Sequence, residues 1–234
     1  MPSLARRLVA EALGTFAFVF IGAAVVVVNG GFPNSGIGLL GIALAHAVAL
    51  SVMISATMAI SGGHLNPAVT VGLLVARRIG PLPAAAYIVT QLAAASVGAL
   101  LVQLLLPSGA VRSALLGVPV IASSVTVGQA IGIETVLTFF LMSAVFGTVV
   151  SPDAPRVAGF GVGLVVLFGV LVGGPLTGAA MNPARAFGPA LVSGQWLGQG
   201  VYWIGAILGA MLAALVWQYV LLPRTAPQRR RRTD

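Results

Sequence analysis

Cysteine is absent from this chain and charge is nearly so: aspartate and glutamate together number 4, no lysine occurs, and only 7% of the residues are charged. Without cysteine there is no disulfide framework and no thiolate metal site, and the redox compartment leaves no mark. With so little charge, a water-facing globule has nothing to cover its surface. Enzyme constellations are missing as well. There is no nucleophilic cysteine, the two histidines have no nucleophile at motif spacing, and no His-Glu-x-x-His occurs. What is present is apolar: hydrophobic residues make up 59% of the 234 positions and glycine adds 30 residues. That composition belongs to an integral membrane protein.

Six stretches are long enough to cross a hydrocarbon core of about 30 Å as helices. They run from Leu8 to Val28, Ile37 to Ile60, Pro83 to Leu106, Val125 to Val150, Val157 to Val172 and Val201 to Leu222. The first follows Arg6-Arg7 as a signal peptide would, but it continues too long and no cleavage site follows, so it reads as a retained span. Two further segments, from Pro67 to Ala76 and from Pro183 to Val192, are helix-like but short. At 1.5 Å per residue each reaches about 15 Å, half the core. Two such pieces meeting head to head complete one more crossing.

Each short piece opens on the same tripeptide. Asn66-Pro67-Ala68 lies within Ser61-Gly62-Gly63-His64-Leu65-Asn66-Pro67-Ala68-Val69, and Asn182-Pro183-Ala184 within Thr177-Gly178-Ala179-Ala180-Met181-Asn182-Pro183-Ala184-Arg185. Asn is a preferred N-cap, and Pro at the first helical position loses an N–H that has no partner anyway. The tripeptide is therefore a helix start, used twice. Non-helical backbone at membrane depth survives only inside protein or along a wet cavity, so the glycine-rich approaches imply an aqueous path. Glu11 to Phe16 also resembles Glu134 to Phe139. Since each half holds three spans, the repeat is inverted, about 5–106 against 125–222, in one domain with a basic tail at 223–234. Gly128 with Gly132, Gly159 with Gly163 and Gly205 with Gly209 are spaced to let helices cross closely.

Arginine sets the orientation. Arg6, Arg7, Arg77, Arg78, Arg156, Arg224 and Arg229 to Arg232 collect on one side, which places both termini in the cytoplasm, while Arg112 falls in an outer loop. The terminal arginine cluster reads as a stop and membrane-surface anchor for the last span, not as a nucleic-acid site.

Ionisable groups inside a membrane mark function or its scaffolding. Glu11 and Glu134 occupy matching positions, and each reads as a carboxylate that holds the re-entrant loop of its own half. Arg185 follows Asn182 by three residues where the first half has Val69, so the two boxes differ in charge at that one place. His46 lies at a depth close to that of Arg185, and reads as pore lining. His64, in the first loop, reads as loop packing or lining alike. An Asn cap whose oxygen is bound by its own helix leaves its NH2 free to donate into a lumen. Two helix N-termini at the centre, with a guanidinium nearer the mouth, oppose protons and other cations.

These residues resemble an aquaporin, a member of the major intrinsic protein family, along nearly the whole chain. One box alone would be a weak signal; two, with Ser-Gly-Gly-His before the first and Arg after the second, are specific. The resemblance implies an all-α membrane fold of six transmembrane helices and two re-entrant half-helices, a homotetramer with a pore in every subunit, and no cofactor. It implies that Asn66 and Asn182 orient water. It implies too that carbonyls of Gly62, Gly63, His64 and Leu65, and of Gly178, Ala179, Ala180 and Met181, guide a single file. The filter carries over by its spacing from the boxes to His46, Val170, Ala179 and Arg185.

Water-selective bacterial and animal members have Phe and His at the first two filter places, where this chain has His46 and Val170. The set here is similar to that of plant tonoplast intrinsic proteins, some of which pass ammonia or urea. Glycerol facilitators have Asp after the filter Arg and a basic residue four further on, where this chain has Ala186 and Ala190; they also lack the pair seen here as Tyr202-Trp203. The expectation is a water channel of the cell membrane, with small neutral solutes as additional substrates and a broader glycerol, urea or ammonia facilitator as the alternative. An ion-coupled transporter would need paired carboxylates or a Ser/Thr-rich cage near the boxes, and none is found there. A junction-forming structural member would keep the same residues as relics.

Overall fold

The structure is a computed structural model that describes residues 2–223; the basic tail read from the sequence, from Arg224 onward, lies outside them. The described residues form helices and no strands. In chain order these are α1 (Leu4–Gly31), α2 (Gly38–Ser61), α3 (Pro67–Val75), α4 (Pro81–Leu105), α5 (Ser108–Ser113), α6 (Val127–Val145), α7 (Phe160–Thr177), α8 (Pro183–Ser193) and α9 (Gln199–Val216). α6 and α9 each run on through a π-helical turn, Phe146–Val150 and Trp217–Leu221. Six helices, α1, α2, α4, α6, α7 and α9, are long and apolar enough to cross a membrane.

The termini of the elements follow local chemistry. Ser3 caps α1 through its side chain, accepting from the Arg6 N–H, and Thr126 with Gln129 forms a reciprocal capping box at the start of α6. Gly62 and Gly178 close α2 and α7 in the left-handed region, at φ 94 and 79. α7 differs from expectation: it begins at Phe160 and continues through Pro175 to Thr177. A proline there forfeits one backbone bond without breaking the helix, because neighbouring elements hold it. α1 also exceeds its expected span at both ends, and α5 is a short helix the hydropathy reading did not anticipate.

α1 packs on α2 and α4, α6 packs on α7 and α9, and α2 meets α7 across the molecule. The half-helices cross over: α3 lies against α9, and α8 against α4. Two of the three glycine pairs serve close crossings. A β-carbon on Gly159 would stand 2.5 Å from Ser51 O on α2, and one on Gly205 2.9 Å from Ile131 O on α6. The third pair does not. Gly128 and Gly132 face open space on α6.

Candidate functional site

Asn66 and Asn182 take extended backbone, and their side-chain oxygens turn back onto their own helices. Asn66 Oδ1 accepts from the Ala68 N–H at 2.8 Å, and Asn182 Oδ1 from the Ala184 N–H at 2.9 Å and the Arg185 N–H at 3.4 Å. Each amide nitrogen reaches across to the other half. Asn66 Nδ2 donates to Met181 O at 2.8 Å, and Asn182 Nδ2 donates to Leu65 O at 2.9 Å. The two half-helices therefore touch at their N-terminal tips, each cap bonded to the loop that leads into its opposite number. This alters two expectations. The Asn NH2 groups are not wholly free, since one N–H of each is spent across the contact and one remains. The carbonyls of Leu65 and Met181 are engaged by that contact.

Two carboxylates shape the loops behind the caps. Glu11, fully buried on α1, accepts from Ser61 Oγ at 2.6 Å, the His64 N–H at 3.0 Å, the Leu65 N–H at 2.7 Å and Gln91 Nε2 at 2.8 Å. Glu134 on α6 accepts from Thr177 Oγ1 at 2.7 Å, the Ala180 N–H at 3.0 Å and the Met181 N–H at 2.8 Å. Ser61 Oγ and Thr177 Oγ1 take the next N–H groups, of Gly63 at 3.1 Å and Ala179 at 3.2 Å. In a trans peptide the C=O points opposite to the N–H that follows it. Drawing these N–H groups toward the glutamates thus turns the carbonyls of Gly62, Gly63 and His64, and of Gly178, Ala179 and Ala180, the other way. None of those six accepts a hydrogen bond among the described residues. The turn requires positive φ at Leu65 and Met181, both at 50.

Two cavities meet at His46. The narrow one, with room for water centres of about 10 Å³, is lined by Phe18, His46, Leu50, Asn66, Leu141, Val166, Ala179, Ala180, Met181 and Asn182. That is roughly the space of one water molecule. The wider one, about 320 Å³, takes in Val26, His46, Val170, Gly178 and Arg185. All four residues of the expected filter, His46, Val170, Ala179 and Arg185, thus line one cavity or the other at their junction. Arg185 is held on two sides: Nε donates to His46 Nε2 at 3.2 Å and Nη1 to Gly117 O at 2.8 Å. His46 Nε2 accepts that bond, so the ring proton sits on Nδ1, which faces Ile42 O at 2.9 Å. Three of the five guanidinium N–H donors remain uncommitted.

His64 is turned aside, with Nδ1 3.1 Å from Thr70 Oγ1 and its ring edge-on to Tyr87. Its matched position, Ala180, lines the narrow cavity instead. Several contributors went unread in the sequence. Tyr87 and Tyr202 donate to Ser61 O at 2.8 Å and Thr177 O at 2.9 Å, fixing the last turn before each loop. Ser61 and Thr177 open the two matching frames five residues before their Asn, but the matched spacing does not tell that both hydroxyls bond a glutamate. Phe18, Leu50, Leu141 and Val166 form the apolar side of the narrow cavity. On helices apolar all round, no periodicity singles such residues out.

The family described as "Major intrinsic protein" matches residues 1–217. The chain is 46% identical to "Aquaporin TIP4-4" of Zea mays over 91% of its own length and 85% of that protein's. It is 41% identical to "Probable aquaporin TIP-type alpha" of Phaseolus vulgaris, over 97% and 89%. In fold it resembles the aquaglyceroporin from Plasmodium falciparum, with a TM-score of 0.82 at 24% identity over 93% of this chain and 97% of that one. The chain therefore belongs to the major intrinsic protein family, the aquaporins, which are membrane channels and not enzymes.

Proposed function

We propose that this protein conducts water passively in single file and excludes protons and other cations. The observation that carries the reading is the tip-to-tip contact of two asparagine-capped half-helices beside a cavity one water wide. At that contact each Asn retains one N–H for a passing oxygen, and two helix N-termini add positive potential. Water crossing there gives up bulk hydrogen bonds and regains some from these amides and from the unengaged carbonyls of the two loops. At the asparagine contact itself a cation meets amide donors and two positive helix ends, and beyond it the guanidinium of Arg185. Glu11 and Glu134 act as loop supports. Both termini lie in the cytoplasm, the protein resides in the cell membrane, and it assembles as a homotetramer with one pore per subunit.

Ammonia and urea form the second reading. It is favoured by Val170, an aliphatic wall, and by the tethering of Arg185 to His46 and Gly117, which draws the guanidinium to one side. Stopped-flow swelling and shrinkage of proteoliposomes under separate water, ammonia, urea and glycerol gradients tests both. Water flux well above that of empty liposomes is expected, with glycerol flux near background. Equal water rates with and without protein would defeat the channel.

A further inference from the structure

Phe18, Gly22 and Val26 follow one another at intervals of four along α1 and so share one face of that helix. Phe18 lines the narrow cavity and Val26 the wide one. Gly22 stands between them on the pore-facing stripe, at the level where His46 and Arg185 meet. A β-carbon on Gly22 would lie 2.6 Å from His46 Nε2, 2.9 Å from its Cδ2 and 3.3 Å from Arg185 Nε. The first two separations are too short for any real contact, so something must move.

Neither neighbour has slack on the protein side. The His46 ring is pinned by Nδ1 at Ile42 O, 2.9 Å away, and by the Phe18 ring packed edge-on against it. Arg185 is pinned by Gly117 O, and that turn is itself pressed onto α1: a β-carbon on Gly117 would meet Ala23 Cα at 2.9 Å. The cavities that these two side chains already line are the open space beside a displaced ring or guanidinium.

We infer that Gly22 is a fifth aperture-determining position of the filter: the side chain missing from α1 is the space in which His46 and Arg185 come together, clear of the passage. The inference rests on the channel reading above. It assigns Gly22 a positioning role, since the glycine acts through the two residues it accommodates. A methyl group there separates Arg185 Nε from His46 Nε2 and drives either the ring into the narrow cavity, which has room for about one water, or the guanidinium into the wider cavity beside it.

The test measures osmotic water permeability of proteoliposomes holding the wild type, Gly22→Ala, His46→Ala and the double variant, with thermal melting of each purified protein. Gly22→Ala is expected to lose most of the water permeability, and adding His46→Ala, which deletes the ring the methyl strikes, to restore it. A helix weakened for general reasons would not be repaired by a second large-to-small change. Wild-type water permeability in Gly22→Ala, or a loss that His46→Ala leaves in place, overturns the inference. Should Gly22→Ala fail to fold, the double variant decides: folded and conducting supports it, unfolded overturns it. A silent wild type defeats the channel reading together with this inference, and is told apart because it appears before any variant is compared.

Discussion

Leu65 and Met181 each carry a bulky side chain in the left-handed region, which costs roughly 1–2 kcal/mol per residue. The carboxylates of Glu11 and Glu134 offset that cost by collecting the N–H groups the turn exposes. Glu11 serves four donors and Glu134 three. A buried donor left unpaired costs about 1–3 kcal/mol. Removing either carboxylate by Glu→Ala is therefore expected to destabilise by more than about 3 kcal/mol, with Glu11→Ala the worse of the two. Thermal denaturation in detergent reads this; equal or negligible shifts would contradict it. Arg185→Val removes the charge and its tether together, and is expected to raise passage of larger solutes or cations, seen as faster dissipation of an ion gradient. At this scale the caps were legible from sequence because capping is local: Asn, Pro and the first turn lie side by side. The bonds from each Asn Nδ2 to the opposite loop were not, since they join residues more than a hundred apart and no local pattern encodes them. Gln91 was invisible too, since no local pattern joins it to partners 80 and 21 residues away. Its amide reaches both Glu11 and Thr70, and its second-half counterpart is Ala206.

Among the elements, each half-helix packs against a long helix of the opposite half, while the loop that leads into it is tied to a long helix of its own. α4 supplies Tyr87 to the first loop and α9 supplies Tyr202 to the second. Tyr202→Phe deletes one hydrogen bond and Tyr87→Phe two, each worth about 1 kcal/mol, since the Tyr87 hydroxyl also accepts from Arg7 Nε; both changes leave a carbonyl unpaired. Hydrogen exchange is expected to quicken selectively at Gly62 to Leu65 in the first variant and at Gly178 to Met181 in the second; uniform exchange changes would argue that the tyrosines are general packing. Helix existence was legible throughout, because an apolar run near twenty residues has few other fates. Helix ends were less so. α7 passes through Gly173, Gly174 and Pro175, residues that locally disfavour a helix, and is kept intact by its contacts with α2 and α6. Hydropathy alone cannot register that support. The Gly128 and Gly132 pair fails in the opposite sense: its spacing suits a close crossing, yet none of the described residues stands against either glycine.

Across the whole molecule, the two cavities share His46, and the four expected filter residues, carried by α2, α7, α8 and the loop before α8, line one or the other beside Phe18 and Val26 of α1. Replacing His46 by Phe and Val170 by His together is expected to narrow the range of solutes while sparing water, checked by comparing urea and water rates in one preparation. Mercurials are expected to leave the flux unchanged, since the chain holds no cysteine; inhibition reversed by added thiol would count against this. The central claim is a path wet enough for water and closed to protons. Its most direct test is the osmotic shrinkage of proteoliposomes that also enclose a pH dye under an imposed proton gradient. The account predicts fast shrinkage with weak temperature dependence while the pH gradient decays no faster than in protein-free liposomes. Shrinkage no faster than lipid alone, or fast shrinkage accompanied by collapse of the pH gradient, would contradict it.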